Sequence, residues 1–177
     1  MRIVGGKYRG RLFNPGKSFH ARPTTDMAKE SLFNILQNQV DFESLKVLDL
    51  FAGTGSISFE FASRGCSDIT SIEMNFQHHR FIKEVIEKLG EKNIKAIKTN
   101  AFQFCQKSDE RFDLIFADPP YDHKQFSEVP DLVLSGSLLK EDGLFILEHP
   151  KNYNFSTRNE FVEVRNYGSV HFSFFRK

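Results

Sequence analysis

Asp118-Pro119-Pro120-Tyr121 brings a carboxylate, a stiff backbone and a flat ring into one short stretch. Proline fixes its own φ and restricts the residue before it, so the Asp118 carboxylate and the Pro119 carbonyl keep a set direction. Two acceptors held in this way suit a planar exocyclic amino group. Each takes one N–H bond, Tyr121 covers the face of the ring that carries the amine, and Pro120 lines the same substrate edge. The bland alternative is a proline-terminated strand with a surface tyrosine. A second motif decides between them. In Asp49-x-Phe51-x-Gly53-x-Gly55 the glycines let a ligand approach the backbone, and the helix start that follows offers unpaired N–H groups. Glu73 stands 20 residues after Gly53, where an acid can accept both hydroxyls of a ribose. Ala52 and Met74 flank these two positions. Asn100, followed by Ala101 and Phe102, ends the next strand and is placed to bond an adenine edge.

Two nucleoside cofactors fit this layout. A dinucleotide site asks for a third glycine to pack helix against strand, and Ser58 stands there. Asp49 precedes the glycines, badly placed for a pyrophosphate and well placed for a cation. S-adenosylmethionine has no phosphate and carries a sulfonium and an ammonium, so it is the cofactor expected.

The elements that must position these residues follow from the apolar pattern. Lys46 to Phe51, Ile69 to Glu73, Ile94 to Lys98, Phe112 to Ala117 and Gly143 to Glu148 read as strands. Helical spacing separates them. One helix opens at Asp26 as N-cap, one ends at Arg64-Gly65, one stops at Gly90, and one lies within Gln125 to Ser135. Phe161 to Tyr167 and Val170 to Phe175, joined at Gly168-Ser169, read as an antiparallel pair. Strands alternating with helices imply an α/β layered fold in one domain over residues 1–177.

The net charge of +1 hides an asymmetry. Arg2, Lys7, Arg9, Arg11, Lys17 and Arg22 precede Thr25 with no acid among them. Residues 1–25 are therefore expected to form a basic, irregular or hairpin-like arm that neutralises phosphates, with Tyr8 free to stack on a base. The two cysteines, Cys66 and Cys105, are too few for a disulfide framework and fit a reducing cytosol. No apolar run approaches a membrane span, and no signal-peptide core follows Met1, so a cytoplasmic protein is expected. His78 and His79 are neighbours on a helix and diverge, which argues against metal.

The chain resembles, nearly end to end, the RsmD-type bacterial methyltransferases that modify a guanine N2 in 16S rRNA. The resemblance is carried by Met1-Arg2-Ile3-Val4-Gly5-Gly6-Lys7, Arg22-Pro23-Thr24-Thr25-Asp26, Val47 to Gly55, Ser63-Arg64-Gly65 and Phe112 to Tyr121. It implies a Rossmann-like class I methyltransferase sheet of seven strands, mainly parallel with the last antiparallel. It also implies S-adenosylmethionine as cofactor and 16S rRNA, alone or in the small ribosomal subunit, as partner, with no metal and no membrane, in a monomer. On that resemblance Asp49, Phe51, Ala52, Gly53, Gly55, Glu73, Met74, Asn100, Ala101 and Phe102 hold the cofactor. Asp118, Pro119 and Tyr121 hold the target amine. Arg2, Lys7, Arg9, Arg11, Arg22, Thr24, Thr25 and Pro120 contact substrate, and residues 26–177 form the catalytic core. Asn100 departs from the aspartate that related enzymes often carry.

Overall fold

Short apolar runs bounded by charge and turn residues form the strands β1 (Lys46–Leu50), β2 (Asp68–Ile72), β3 (Ile94–Ile97), β4 (Phe112–Ala117), β5 (Leu139–His149), β6 (Phe161–Tyr167) and β7 (Val170–Arg176). The computed structural model describes residues 1–16 and 24–177. Arg22 and Lys17 of the expected basic arm lie outside the described residues. The strands pair in one sheet of order β3-β2-β1-β4-β5-β7-β6. The pairs from β3 to β5 are parallel, and β7 is antiparallel to both of its neighbours. This is the mainly parallel, seven-stranded architecture expected.

The helices are α1 (Asp26–Leu36), α2 (Ser56–Ser63), α3 (Phe76–Leu89), α4 (Ala101–Lys107) and α5 (Val129–Leu134). Alternation along the strands sorts the buried side chains into two layers. Val47, Leu114 and Ile146 pack with α1, α2 and α3 on one face. Leu48, Leu50, Ile115 and Leu147 pack with α4 and α5 on the other. Strand order reverses direction between β1 and β4, which opens a crevice at their carboxyl ends.

Three elements differ from the sequence reading. The N-cap of α1 is Thr25, not Asp26: Thr25 Oγ1 accepts the Ala28 N–H at 3.2 Å, and Asp26 is the first helical residue. Helix α4 has no counterpart in the sequence reading. It is only seven residues long, too short for a periodic signal, and starts where Asn100 accepts the Gln103 N–H. Strand β5 starts at Leu139, four residues early, across a register shift opposite Phe112 and Leu114 and a left-handed Asp142 (φ 60°).

The amino-terminal residues form a hairpin seated on the domain. Ile3 donates to the Arg11 carbonyl and accepts from Gly10, and its own side chain is fully buried. Glu60 on α2 fixes the hairpin from below. Its carboxylate accepts the Val4 N–H at 2.7 Å and pairs with Arg64 and, at 3.5 Å, with Lys29. Lys29, itself buried, also donates to the Arg2 carbonyl and lies 3.3 Å from Asp26. Gly6 (φ +71°) crosses so close to α2 that a Cβ would lie 2.0 Å from the Ser63 carbonyl oxygen, so only glycine fits.

Removing one partner of a buried ionic cluster leaves the others uncompensated. Glu60→Ala is therefore expected to destabilise the fold by about 3–5 kcal/mol in urea unfolding. It should also speed amide exchange in residues 3–11 more than in β4.

Candidate active site

β1, β4 and β5 each deliver an acid to the crevice. Asp49 lies on β1, Asp118 follows the last residue of β4, and Glu148 is near the end of β5. Because Ala117 is in register with Leu147, Asp118 and Glu148 stand side by side on adjacent parallel strands. The crevice holds about 570 Å³. Its lining includes Asp49, Glu73, Asp118, Asp122 and Glu148, and among the described residues no lysine or arginine.

Each acid is held differently. Asp49 points toward α2, where one carboxylate oxygen accepts from the Ser58 N–H at 3.1 Å and the Ser58 hydroxyl at 2.6 Å. The serine that stands where a dinucleotide fold wants glycine thus anchors the acid. Burial pushes the Asp49 carboxyl up to about 7, against the two Ser58 bonds, with Glu73 adding to the rise. Glu73 accepts the Gly53 N–H at 2.8 Å and the Asn75 N–H at 2.6 Å. This backbone clamp fixes Glu73 in the crevice wall. Asp118 is also pushed well above the carboxylate range, first by burial, then by the charges of Glu148 and Asp49. Glu148 accepts the Thr24 hydroxyl at 2.8 Å and the Tyr121 hydroxyl at 3.3 Å.

The turn after β1 is strained. Phe51 has φ 63°, a left-handed conformation that a bulky residue rarely adopts. It places the Phe51 ring edge-on to both Phe102 and His123, and His123 stacks on Phe102 at 5.2 Å with 14° between planes. Gly55 (φ +73°) closes the same turn, where a Cβ would meet Phe59 at 2.9 Å. The crevice thus has a backbone floor, an aromatic shelf and an acidic rim.

The structure brings most of the expected residues together. Asp49, Phe51, Ala52, Gly53, Glu73, Met74, Asn100, Ala101, Asp118, Pro119, Pro120, Tyr121 and Thr24 line one crevice. Phe102 supports it through His123. Asn100 uses its side-chain oxygen to cap α4 and its amide nitrogen to reach Met74 Sδ at 3.6 Å. The Thr25 hydroxyl serves the α1 cap. The basic hairpin sits elsewhere, on α2. Lys7 pairs with Glu91 at 3.1 Å, and the Tyr8 hydroxyl donates to the same acid at 2.9 Å, so Tyr8 is not a free stacking ring. Arg2, Arg9 and Arg11 are exposed. Sequence reasoning leaves Glu148 between the active-site rim and a plain polar strand terminus, favouring the second, and assigns no site role to His123 or Ser58. Glu148 was detectable as an acid ending the strand next to Asp118. Among the described residues no group of three or more His, Cys, Asp or Glu could hold a metal ion, and no helix is long and apolar enough to cross a membrane.

A folded carboxyl at about 7 exceeds its unfolded value, so the native state binds the extra proton between about pH 4 and 7. The ionised form opposes folding fully above pH 7, and that opposition disappears as pH falls through the window. Asp49→Asn removes the charge. The ligand-free variant is expected to melt higher than the parent at pH 8, by roughly 2–4 °C per kcal/mol for a domain of this size. The difference should close toward pH 4 in a scanning-calorimetry series.

Residues 1–176 match the family described as conserved hypothetical protein 95. Ribosomal RNA small subunit methyltransferase D of Escherichia coli K12 is 30% identical over 148 residues, spanning 84% of this chain and 74% of that protein. The protein of the same description from Buchnera aphidicola (subspecies Baizongia pistaciae) is 29% identical over 87% of this chain and 78% of its own length. The structure of a hypothetical protein of Thermus thermophilus superposes with a TM-score of 0.88 at 27% identity, over 100% of this chain and 99% of that one. A Thermus thermophilus 16S rRNA N2 G1207 methyltransferase, solved with AdoMet and guanosine, shares the fold at TM-score 0.70 and 19% identity, over 89% of this chain and 45% of that one. With nearly the whole chain matched by one family and the same sheet in its structural relatives, this protein belongs to the conserved hypothetical protein 95 family, the family of the RsmD-type methyltransferases.

Proposed function

We propose that this protein transfers a methyl group from S-adenosylmethionine to the exocyclic N2 of a guanine in small-subunit (16S) rRNA. The observation that carries the reading is the placement of Asp118 and Pro119. They lie at the end of β4, in one crevice with the glycine turn and Glu73, and the charged lining of that crevice is acidic. Family membership supports methyl transfer to rRNA, because the matched relatives from Escherichia coli and Buchnera are named for it.

The residues fit the cofactor. Glu73, clamped by Gly53 and Asn75, accepts the ribose diol. The open backbone at Gly53 leaves room for the nucleoside, since a Cβ there would meet nothing within 4 Å. Asp49 faces the cationic end. When bound, S-adenosylmethionine supplies an electrophilic methyl group on a positively charged sulfur.

Guanine N2 is a weak nucleophile because its lone pair is delocalised into the ring. The positive charge of the bound cofactor offsets the burial and the neighbouring acids that raise the Asp118 carboxyl, so that the Asp118 carboxylate and the Pro119 carbonyl accept the two amine hydrogens and favour a pyramidal nitrogen. Tyr121, tied to Glu148, holds the ring face. The N–C bond forms as the C–S bond breaks, with the electron pair of that bond remaining on sulfur. Positive charge grows on nitrogen, next to Asp118, which stabilises it and then takes the proton on its way to solvent. Most of the acceleration is positioning and preorganised electrostatics.

Substrate docking is assigned to the exposed cations of the hairpin, Arg2, Arg9 and Arg11, with Lys7 contributing its half-exposed ammonium and Arg22 the adjoining segment. Thr24, bonded to Glu148, and Thr25, the cap of α1, are the substrate contacts assigned next to the crevice. On this reading residues 1–177 work as one domain, monomeric and cytoplasmic, where rRNA is made.

The reading is tested with labelled S-adenosylmethionine and small ribosomal subunits from cells lacking the gene. N2-methylguanosine at one position is the expected product. Methylated adenosine would leave the chemistry intact and overturn the base assignment. Asp118→Ala is expected to lower turnover by about 10²–10³ while cofactor still binds, and turnover within a few fold of wild type would contradict its role.

A further inference from the structure

We infer that Glu148 is a base-selecting residue that accepts the ring N1–H of the target guanine, while Asp118 and Pro119 hold the N2 amine. The inference rests on the function proposed above and goes beyond it to how the base is chosen. Three observations support it. First, Asp118 and Glu148 occupy neighbouring positions at the ends of adjacent parallel strands, one residue past the Ala117–Leu147 register pair. Neighbouring strands are about 4.8 Å apart, wider than two adjacent donors on a base edge, so the two carboxylates have to lean toward one another to meet the same edge. Second, both line the same crevice, and Glu148 is only 3% exposed there. Burying a second carboxylate next to the first is unfavourable for folding, as the raised Asp118 carboxyl shows. Third, the Tyr121 and Thr24 hydroxyls fix the orientation of Glu148.

The chemistry selects guanine. Its Watson–Crick edge presents N1–H next to the N2 amine, a run of donors that two carboxylates and a carbonyl complement. Adenine presents an N1 acceptor at the equivalent place, and a carboxylate facing it meets lone pair with lone pair. A site built to bond one polar group rejects analogues that lack it far more strongly than an apolar pocket can reject an extra group.

2-Aminopurine separates this role from the others. It keeps the amine at the 2-position and replaces N1–H with an acceptor. Small subunits are reconstituted with rRNA carrying guanine or 2-aminopurine at the methylated position, and kcat/KM is measured for each. Wild type is expected to prefer guanine by about 10²-fold or more, because with 2-aminopurine the carboxylate is left facing an acceptor. Glu148→Gln can turn an amide N–H toward the acceptor, and is expected to shrink that preference at least tenfold by gaining on 2-aminopurine and losing on guanine. Tyr121→Phe removes the hydroxyl that braces Glu148 but leaves the carboxylate. It is expected to slow both substrates and keep the ratio. If Glu148 only braces Tyr121, Tyr121→Phe will change the ratio as Glu148→Gln does, and the inference is overturned. It is likewise overturned if wild type uses both bases equally. A wild-type protein that leaves guanine subunits unmethylated would bring down the proposed function, and this inference with it.

Discussion

Crowding of like charge at three adjacent strand ends is the constraint around which the molecule is arranged. Asp49, Asp118 and Glu148 sit on β1, β4 and β5, with Glu73 after β2. Burial first, and the neighbouring acids after it, raise the Asp49 and Asp118 carboxyls and weaken the ligand-free fold. The sequence answers the repulsion locally. Ser58 gives Asp49 two bonds, backbone N–H groups hold Glu73, and Thr24 and Tyr121 hold Glu148. What remains is a deficit of positive charge inside the crevice, which on the proposed function a cationic cofactor and an amine-bearing base fill. Ligand-free strain and ligand recognition have one origin here.

A second ionic cluster does the opposite work. Lys29, Glu60 and Arg64 are paired and hydrogen-bonded, and they fasten the hairpin of residues 2–12 to α1 and α2. The basic side chains are thereby carried on a fixed element. Thr24, just before the Thr25 cap of α1, reaches Glu148 in the crevice. The substrate-docking and base-holding regions of the proposal are joined by this stretch of chain.

The sheet was legible because each central strand is a compact apolar run with a turn signal after it. The site was legible because its motifs sit at strand ends, where a parallel sheet gathers them whatever their distance in sequence. What escaped had weaker local signals. Helix α4 is too short to show a period, and the early start of β5 depends on a bulge set by its partner strand. Ser58 acquires its role from the turn that folds it back on Asp49, and Glu148 from Thr24 and Tyr121, which are distant in sequence. The reading of Tyr8 as a free ring failed for the same reason: Glu91, its partner, lies 83 residues away.

The most direct test of the central claim, that this acidic crevice is the cofactor site, is a crystal structure with S-adenosylhomocysteine. The account predicts the ribose diol on the Glu73 carboxylate and the sulfur between Asp49 and Asp118, with the backbone at Gly53 against the nucleoside. A nucleoside seated away from Glu73, or a crevice that stays empty at saturating ligand, would contradict it.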